Sequence, residues 1–283
     1  MEYSKDYSGS EGGKVVKFEV ASNAAAINHT LQVGDYYCAD GSIVAKDATV
    51  PANAVGVVFF VGNPQPSANG ICGEALDILY NERPSCVHGL VVALKNSSDS
   101  KSRFGSTKAV YYGEWLATDA WSSSLLENGV GKELELKGYR GYNNTKIMNI
   151  ATDENKMGIA YDNRMAPTGE MTAAAAACVD ALNSLKAFSS ANPVPAISSG
   201  WFVPSITEFS TLNENLDDIN SCISNASGTE LEKDAATWYW SSTERIGNAS
   251  YQWAYKNGQC EAQANRERGG TGYPGYFRMM LAF

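Results

Sequence analysis

The stretch "YQWAYKNGQCEAQANRER", from Tyr251 to Arg268, alternates aromatic and polar side chains around an Asn-Gly pair. A two-residue type I′ turn needs positive φ at both central positions, which Asn257-Gly258 tolerates, so the stretch predicts a β-hairpin with Lys256 opposite Gln259. Because side chains alternate across a strand, one face should be core: Tyr251, Trp253, Tyr255, Cys260, Ala262 and Ala264. The other face should meet solvent or a partner: Gln252, Ala254, Lys256, Gln259, Glu261 and Gln263.

The segments beside the hairpin complete an α+β pattern. "WYWSST" (238–243) precedes it, and "YFRMMLAF" (276–283) reads as a further strand. Upstream, two segments predict helices over 171–188 and 205–223, and Ser205 with Glu208 forms a capping box at the start of the second. We therefore expect residues 138–283 to form one α+β domain, in which two helices flank a small antiparallel sheet.

Residues 14–137 are expected to be a β-rich N-terminal region. Short β-branched or aromatic runs bounded by Gly, Pro, Asn or Asp predict strands at 14–20, 31–42, 55–62, 88–96 and 108–117. Residues 1–13, "MEYSKDYSGSEGG", read as a disordered tail or tether. They lack the basic start and apolar middle of a signal peptide, which leaves either a cytosolic protein or an exported one whose signal has been removed.

Charge and composition exclude several classes of partner. The 283 residues carry a formal net charge of −9, and no basic cluster offsets it, so we expect no binding to nucleic acid. No apolar run approaches the length of about 18 residues that a membrane-spanning helix needs. Any membrane attachment should be peripheral, through an N-terminal lipid anchor that was removed together with the export signal.

The cysteines and histidines show no metal-binding pattern. None of the six cysteines lies in a CxxC or Cys/His spacing, and two histidines are too few for a histidine site, so we expect no metal and no cofactor. Disulfides and free buried thiols both remain open. The chain has no G-x-S-x-G, P-loop or HExxH motif, and we expect it not to be an enzyme.

Four ordered motifs resemble a known family. These are Gly200-Trp201-Phe202-Val203-Pro204 with Glu208, then Tyr239-Trp240-Ser241-Ser242-Thr243-Glu244, then Trp253 with Tyr255 and Gly258, then Phe277 to Phe283. They resemble the Lcl-type C-terminal domain of bacterial surface proteins, a C-type-lectin-like fold shared with formylglycine-generating enzymes. Those enzymes use a close pair of cysteines late in the chain, where only Cys260 occurs in the last 60 residues here.

The resemblance implies a surface-displayed, adhesin-like protein that binds a ligand, with an extracellular or outer cell surface location. Some members of the superfamily are variable proteins of diversity-generating retroelements, which rewrite a C-terminal segment. The expected ligand-binding residues are Arg245, Asn248, Ser250, Gln252, Lys256, Gln259, Glu261, Gln263, Asn265, Arg266, Arg268 and Tyr273. A fixed polar lectin-like surface is the alternative to a diversified one.

Two functions from different classes therefore stay open. The main prediction is a protein that binds a protein or glycan ligand on another cell or on a phage or host surface. The alternative is a structural or tip subunit of a bacterial surface fibre. On either reading, Trp240 and Trp253 should be buried core residues, and Arg278 should pair with an acid or with backbone carbonyls.

Overall fold

The computed structural model of the chain describes residues 29–105, 138–152, 168–234, 236–244, 252–262 and 275–283. Its strands are β1 Tyr36–Cys38, β2 Ile43–Val44, β3 Ala54–Val61, β4 Gly89–Ala93, β5 Trp238–Glu244, β6 Gln252–Lys256, β7 Gln259–Ala262 and β8 Met280–Ala282. Its helices are α1 Ile78–Glu82, α2 Gly141–Thr152, α3 Thr168–Ala191, α4 Ile206–Glu214 and α5 Leu216–Asn225. The predicted α+β class is confirmed. The predicted tail 1–13 and the strands expected at 14–20 and 108–117 lie outside the described residues.

A five-stranded antiparallel sheet forms the centre of the fold, in the order β2-β1-β3-β4-β8. Strands β3 and β4 are almost continuously apolar, the pattern of strands that are covered on both faces. Their alternating side chains feed two hydrophobic clusters on opposite sides of the sheet. Val58 and Val91 point to one side, whereas Val57 and Val92 point to the other.

The two clusters are covered by different helices. The α3 cluster joins Val58 and Val91 of the sheet to Leu182, Leu185 and Phe188 of α3. The α4–α5 cluster joins the opposite sheet face to helical side chains at helical spacing, namely Phe209, Leu212, Leu216, Ile219 and Ile223. Helices therefore bury both faces of the five-stranded sheet.

The helix predicted over 205–223 is two helices in the structure. The first ends at Glu214 and the second begins at Leu216, and the backbone N–H of Asn215 between them donates to the Leu212 carbonyl at 3.2 Å. Leu216 continues the apolar spacing across the break, which is why the sequence pattern read as a single helix. The helix predicted over 171–188 is confirmed within α3, and α2 is a helix that the sequence analysis did not predict.

Strands β5, β6 and β7 form a separate three-stranded antiparallel sheet. The predicted hairpin register is confirmed, because Lys256 pairs with Gln259 and Trp253 pairs with Ala262. At the turn, Asn257 has φ 52° and Gly258 has φ 71°, the two positive values that a type I′ turn requires. Local turn chemistry therefore set this register.

The pairing of strand β8 with β4 links the two regions that the sequence analysis separated between residues 137 and 138. Strand β8 lies near the C-terminus, yet Leu281 pairs with Val91 of β4, and β4 belongs to the predicted N-terminal region. Strands from both sides of residue 137 thus share the five-stranded sheet and its two clusters. In the described residues, the boundary does not divide the core, because a non-local strand pairing joins its two sides.

Candidate recognition surface

The four motifs of the sequence analysis meet in space. The Ser242 backbone N–H donates to the Pro204 carbonyl at 2.7 Å, and the Ile206 N–H donates to Thr243 Oγ1 at 3.0 Å, so the first two motifs bind each other. Phe202 N–H donates to the Met280 carbonyl at 2.8 Å and joins the first motif to the last. These contacts build a frame that holds the three-stranded sheet against the five-stranded one.

Trp240 anchors this frame, as predicted. Its side chain is fully buried in the α3 cluster, where its ring lies edge-on to Phe104 with 6.1 Å between the ring centroids. Its indole Nε1 donates to the Ser102 carbonyl at 3.0 Å, which satisfies the polar atom that burial would otherwise leave unpaired. Trp253 was predicted to be a buried core residue, but in the structure its side chain is half-buried and packs against the edge of the α4–α5 cluster.

Arg278 is a fully buried guanidinium that binds backbone carbonyls, as predicted. Its Nη1 donates to the Ala93 carbonyl at 2.9 Å, and its Nη2 donates to the Thr229 carbonyl at 2.5 Å. Burial lowers the pKa of Arg278 to about 10, so the group stays protonated at neutral pH. Arg278 thereby ties the last strand to β4 and to the loop after α5.

Glu208 joins the starts of two helices. Its carboxylate is buried and accepts the Ser205 N–H at 2.5 Å, at the start of α4, and the Gly141 N–H at 2.9 Å, at the start of α2. Both donors favour the ionised form, but burial outweighs them and raises the pKa of Glu208 from 4.5 to about 7. The predicted capping box is therefore present. Its Glu208 carboxylate also accepts a hydrogen bond from the first residue of α2.

On the hairpin face that was predicted to be polar and exposed, the burial of the side chains decreases from the start of β6 towards the turn. Gln252 and Ala254 are fully buried, Lys256 is half-buried, and Gln259 is exposed. The prediction that Gln252 is a surface ligand-binding residue is wrong, and so is the predicted exposure of Ala254. Strand β6 is the middle strand of its sheet, and it contributes Ala254 to the α3 cluster and Tyr255 to the α4–α5 cluster.

Gln252 forms an interior contact. Its Nε2 donates to the Ser241 carbonyl at 2.9 Å, which links β6 to the β5 motif. At the other end of the strand, Lys256 Nζ lies over the Trp238 ring, 4.5 Å from the centroid, as a cation–π contact. Among the described side chains of this face, those accessible to a partner are at the turn end, namely Lys256 and Gln259.

The side chains of nine predicted ligand-binding residues lie outside the described residues. Glu261 pairs with Ala254 through its backbone in β7, and its side chain is outside the described residues. The remaining eight also lie outside them: Arg245, Asn248, Ser250, Gln263, Asn265, Arg266, Arg268 and Tyr273. For these residues, ligand binding stays a prediction.

A groove of about 360 Å³ lies beside the hairpin turn, and the sequence analysis did not predict it. Gly258 forms one wall, the break between α4 and α5 forms another, and Lys233 completes it. The helix break contributes Glu214, Asp217 and Asp218, while Lys233 forms an ion pair with Asp217. Both aspartates are exposed on the helix, and a local pattern could not show that the hairpin turn lies next to them.

All six cysteines are free, and burial raises the pKa of the Cys260 thiol to about 12, which keeps it protonated at neutral pH. Within the described ranges, no three His, Cys, Asp or Glu side chains lie close enough to hold a metal ion. No helix in the same part of the chain combines the length and the apolar character that crossing a membrane requires.

Comparisons with known proteins give two relatives, and no family model matches the chain. A protein of Bacteroides ovatus named as the fimbrium tip subunit Fim1C is 30% identical over 258 residues, a match that covers 84% of this chain and 43% of that protein. A crystal structure of a fimbrial protein from the same species matches with a TM-score of 0.65 and 25% identity, and covers 89% of this chain and 49% of that one. The chain thus spans about half the length of each relative.

Proposed function

We propose that this chain is part of a subunit of a bacterial surface fibre and that the subunit lies at the fibre tip. The observation that carries the proposal is the similarity, over 84% of the chain, to a protein named for that position. It favours the alternative prediction over the main one of a ligand-binding protein diversified by a retroelement. The proposed role is structural and binding, without catalysis, and the proposed location is the outer cell surface.

A C-type-lectin-like arrangement of the C-terminal residues remains part of this proposal. The mutual hydrogen bonds of the four motifs support it, since Pro204 accepts from Ser242 and Met280 accepts from Phe202. Such a frame fixes the three-stranded sheet and lets its free end vary without loss of the core. Retroelement diversification of the segment from Arg245 to Tyr276 is a separate hypothesis. A reverse transcriptase gene and a near-copy of the 3′ coding end beside this gene would support it, and their absence would contradict it.

We assign the recognition role to the turn end of the hairpin. Lys256 and Gln259 are accessible there, and the acidic groove at Gly258 adjoins them. The proposed partners are the other protein subunits of the fibre and, at the turn end, a protein or glycan on a facing surface. The adjoining carboxylates favour a ligand that carries positive charge or hydroxyl groups, because both can bond to carboxylate oxygens.

Immunogold electron microscopy of a bacterium that carries the gene tests the fibre assignment. We expect an antibody against this chain to label the distal ends of surface fibres, and an in-frame deletion strain to lose that label. Label along the whole fibre would overturn the tip position. A chain found only inside the cell would overturn the fibre function itself.

A further inference from the structure

Two Asn-Gly pairs lie in the described residues, and the structure holds them differently. Asn257-Gly258 forms the turn between β6 and β7, and Asn69-Gly70 lies in the loop after β3. Asn-Gly is the dipeptide in which the backbone nitrogen of the second residue attacks the asparagine amide most readily, because glycine has no side chain to hinder the approach. Both asparagines are exposed to solvent, so exposure does not distinguish them.

Hydrogen bonds restrain the pair in the loop. Asn69 Nδ2 donates to the carbonyls of Asn63 and Gln65, each at 2.9 Å. The Gly70 backbone N–H donates to the Ser67 carbonyl at 3.2 Å. Both the leaving amide and the attacking nitrogen are therefore engaged, and both must be released before they can react.

The pair in the hairpin turn has neither restraint. Within the described residues, no hydrogen bond holds the Asn257 side chain. The ladder bonds of the hairpin end at Lys256 and Gln259, and the Gly258 N–H has no acceptor in the same part of the chain. Among the described residues, a Cβ added at Gly258 would meet only Asn213 Oδ1, at 3.7 Å.

We propose that Asn257 is a site of spontaneous deamidation. The Gly258 nitrogen loses its proton and bonds to Asn257 Cγ, the Cγ–Nδ2 bond breaks, and ammonia leaves with the proton to give a cyclic imide. Water then opens the ring at either carbonyl and yields aspartate or isoaspartate. The reaction needs water and no other reactant.

The product would change the turn end of the hairpin in two ways. A new carboxylate would join Glu214, Asp217 and Asp218 around the groove and would raise its negative charge. Isoaspartate would also add one backbone atom to a two-residue turn, which fits only a narrow range of backbone angles. The effect on recognition rests on the function proposed above, whereas the reaction itself does not.

Peptide mapping by mass spectrometry tests the site in the folded, full chain incubated in mildly alkaline buffer. We expect the Asn257 peptide to gain mass and isoaspartate roughly thirtyfold faster than the Asn69 peptide, because the loop pair must first break its hydrogen bonds. In the urea-denatured chain, the two rates should become nearly equal. Equal rates in the folded chain, or a faster reaction at Asn69, would overturn the proposal.

The variant Asn257→Ser is the matched control. It should abolish the mass gain of the hairpin peptide and leave the Asn69 rate unchanged. A mass gain that persists in the hairpin peptide of this variant would assign the modification to another residue and overturn the proposal. Because the rate ratio is measured in the unaltered chain, the outcome does not depend on whether the variant folds, nor on whether the chain lies at a fibre tip.

Discussion

The five-stranded and the three-stranded sheets differ in where their alternating side chains are buried. In the five-stranded sheet, successive side chains of β3 and β4 enter clusters on opposite sides, and helices cover both. In the three-stranded sheet, one face runs from buried Gln252 and Ala254 to exposed Gln259. Position along the strand, rather than choice of face, separates core from surface at the hairpin. Among the described residues of that face, the side chains that a partner can reach therefore lie at the turn end.

The largest expected effect is the loss of the anchor between the two sheets. Trp240→Ala should lower the free energy of unfolding by about 3–5 kcal/mol, since it removes a large buried side chain that fills the α3 cluster. Urea denaturation of the variant and the unaltered chain measures this loss of stability. An unchanged midpoint would mean that the three-stranded sheet does not depend on the core of the five-stranded one.

The second prediction concerns the buried acid that joins α2 to α4. Glu208 has its pKa raised from 4.5 to about 7, so between these values the folded state holds a proton that the unfolded state has released. Stability from this residue is therefore complete below pH 4.5 and falls as the pH rises to 7, by roughly 3 kcal/mol in total.

The control for this pH dependence is Glu208→Gln, which does not titrate. Urea denaturation of both proteins at several pH values between 4.5 and 8 should show their stability difference changing across that range. The difference, rather than either curve, is the measured quantity, because other carboxyls such as Glu82 have lowered pKa values and give slopes of opposite sign. Parallel curves would contradict the account.

The third and fourth predictions compare the two ends of one hairpin face. Gln252→Ala should cost about 1–3 kcal/mol, because the Ser241 carbonyl loses a buried donor. Thermal and urea denaturation provide the measurement. An unchanged free energy of unfolding would mean that the Gln252 side chain is on the surface, as the sequence analysis predicted.

Gln259→Ala is the matched change at the exposed end of the same face. It should shift the free energy of unfolding by no more than about 0.5 kcal/mol, since the side chain is exposed. The same denaturation assay compares it with Gln252→Ala. Equal costs for the two variants would show that burial does not fall along the hairpin.

Local chemistry explains what the sequence predicted correctly. Asn257-Gly258 sets the hairpin register, and Ser205 with Glu208 sets the start of α4, because turns and caps depend on neighbouring residues. The partners of Arg278 followed from the cost of burying a charge without hydrogen bonds. Each of these predictions needs only a few adjacent residues or one general rule.

Long-range packing explains what the sequence did not predict. Nothing near Gln252 indicates that β6 is a middle strand with both faces covered, and nothing near Leu281 indicates its pairing with β4. The break at Asn215 was hidden because apolar spacing continues through Leu216. The groove beside Gly258 forms between that break and the hairpin turn, which are distant in sequence, so no local pattern could predict it.

The most direct test of the account asks whether the turn end of the hairpin faces outward in an assembled fibre. One strain would carry a short epitope inserted between Asn257 and Gly258, and a control strain would carry it between Ser98 and Asp99, in another exposed loop. We expect antibody to bind the hairpin epitope on intact fibres, at their distal ends. A hairpin epitope that antibody reaches only after the fibres are dissociated would contradict a recognition role for this end of the molecule.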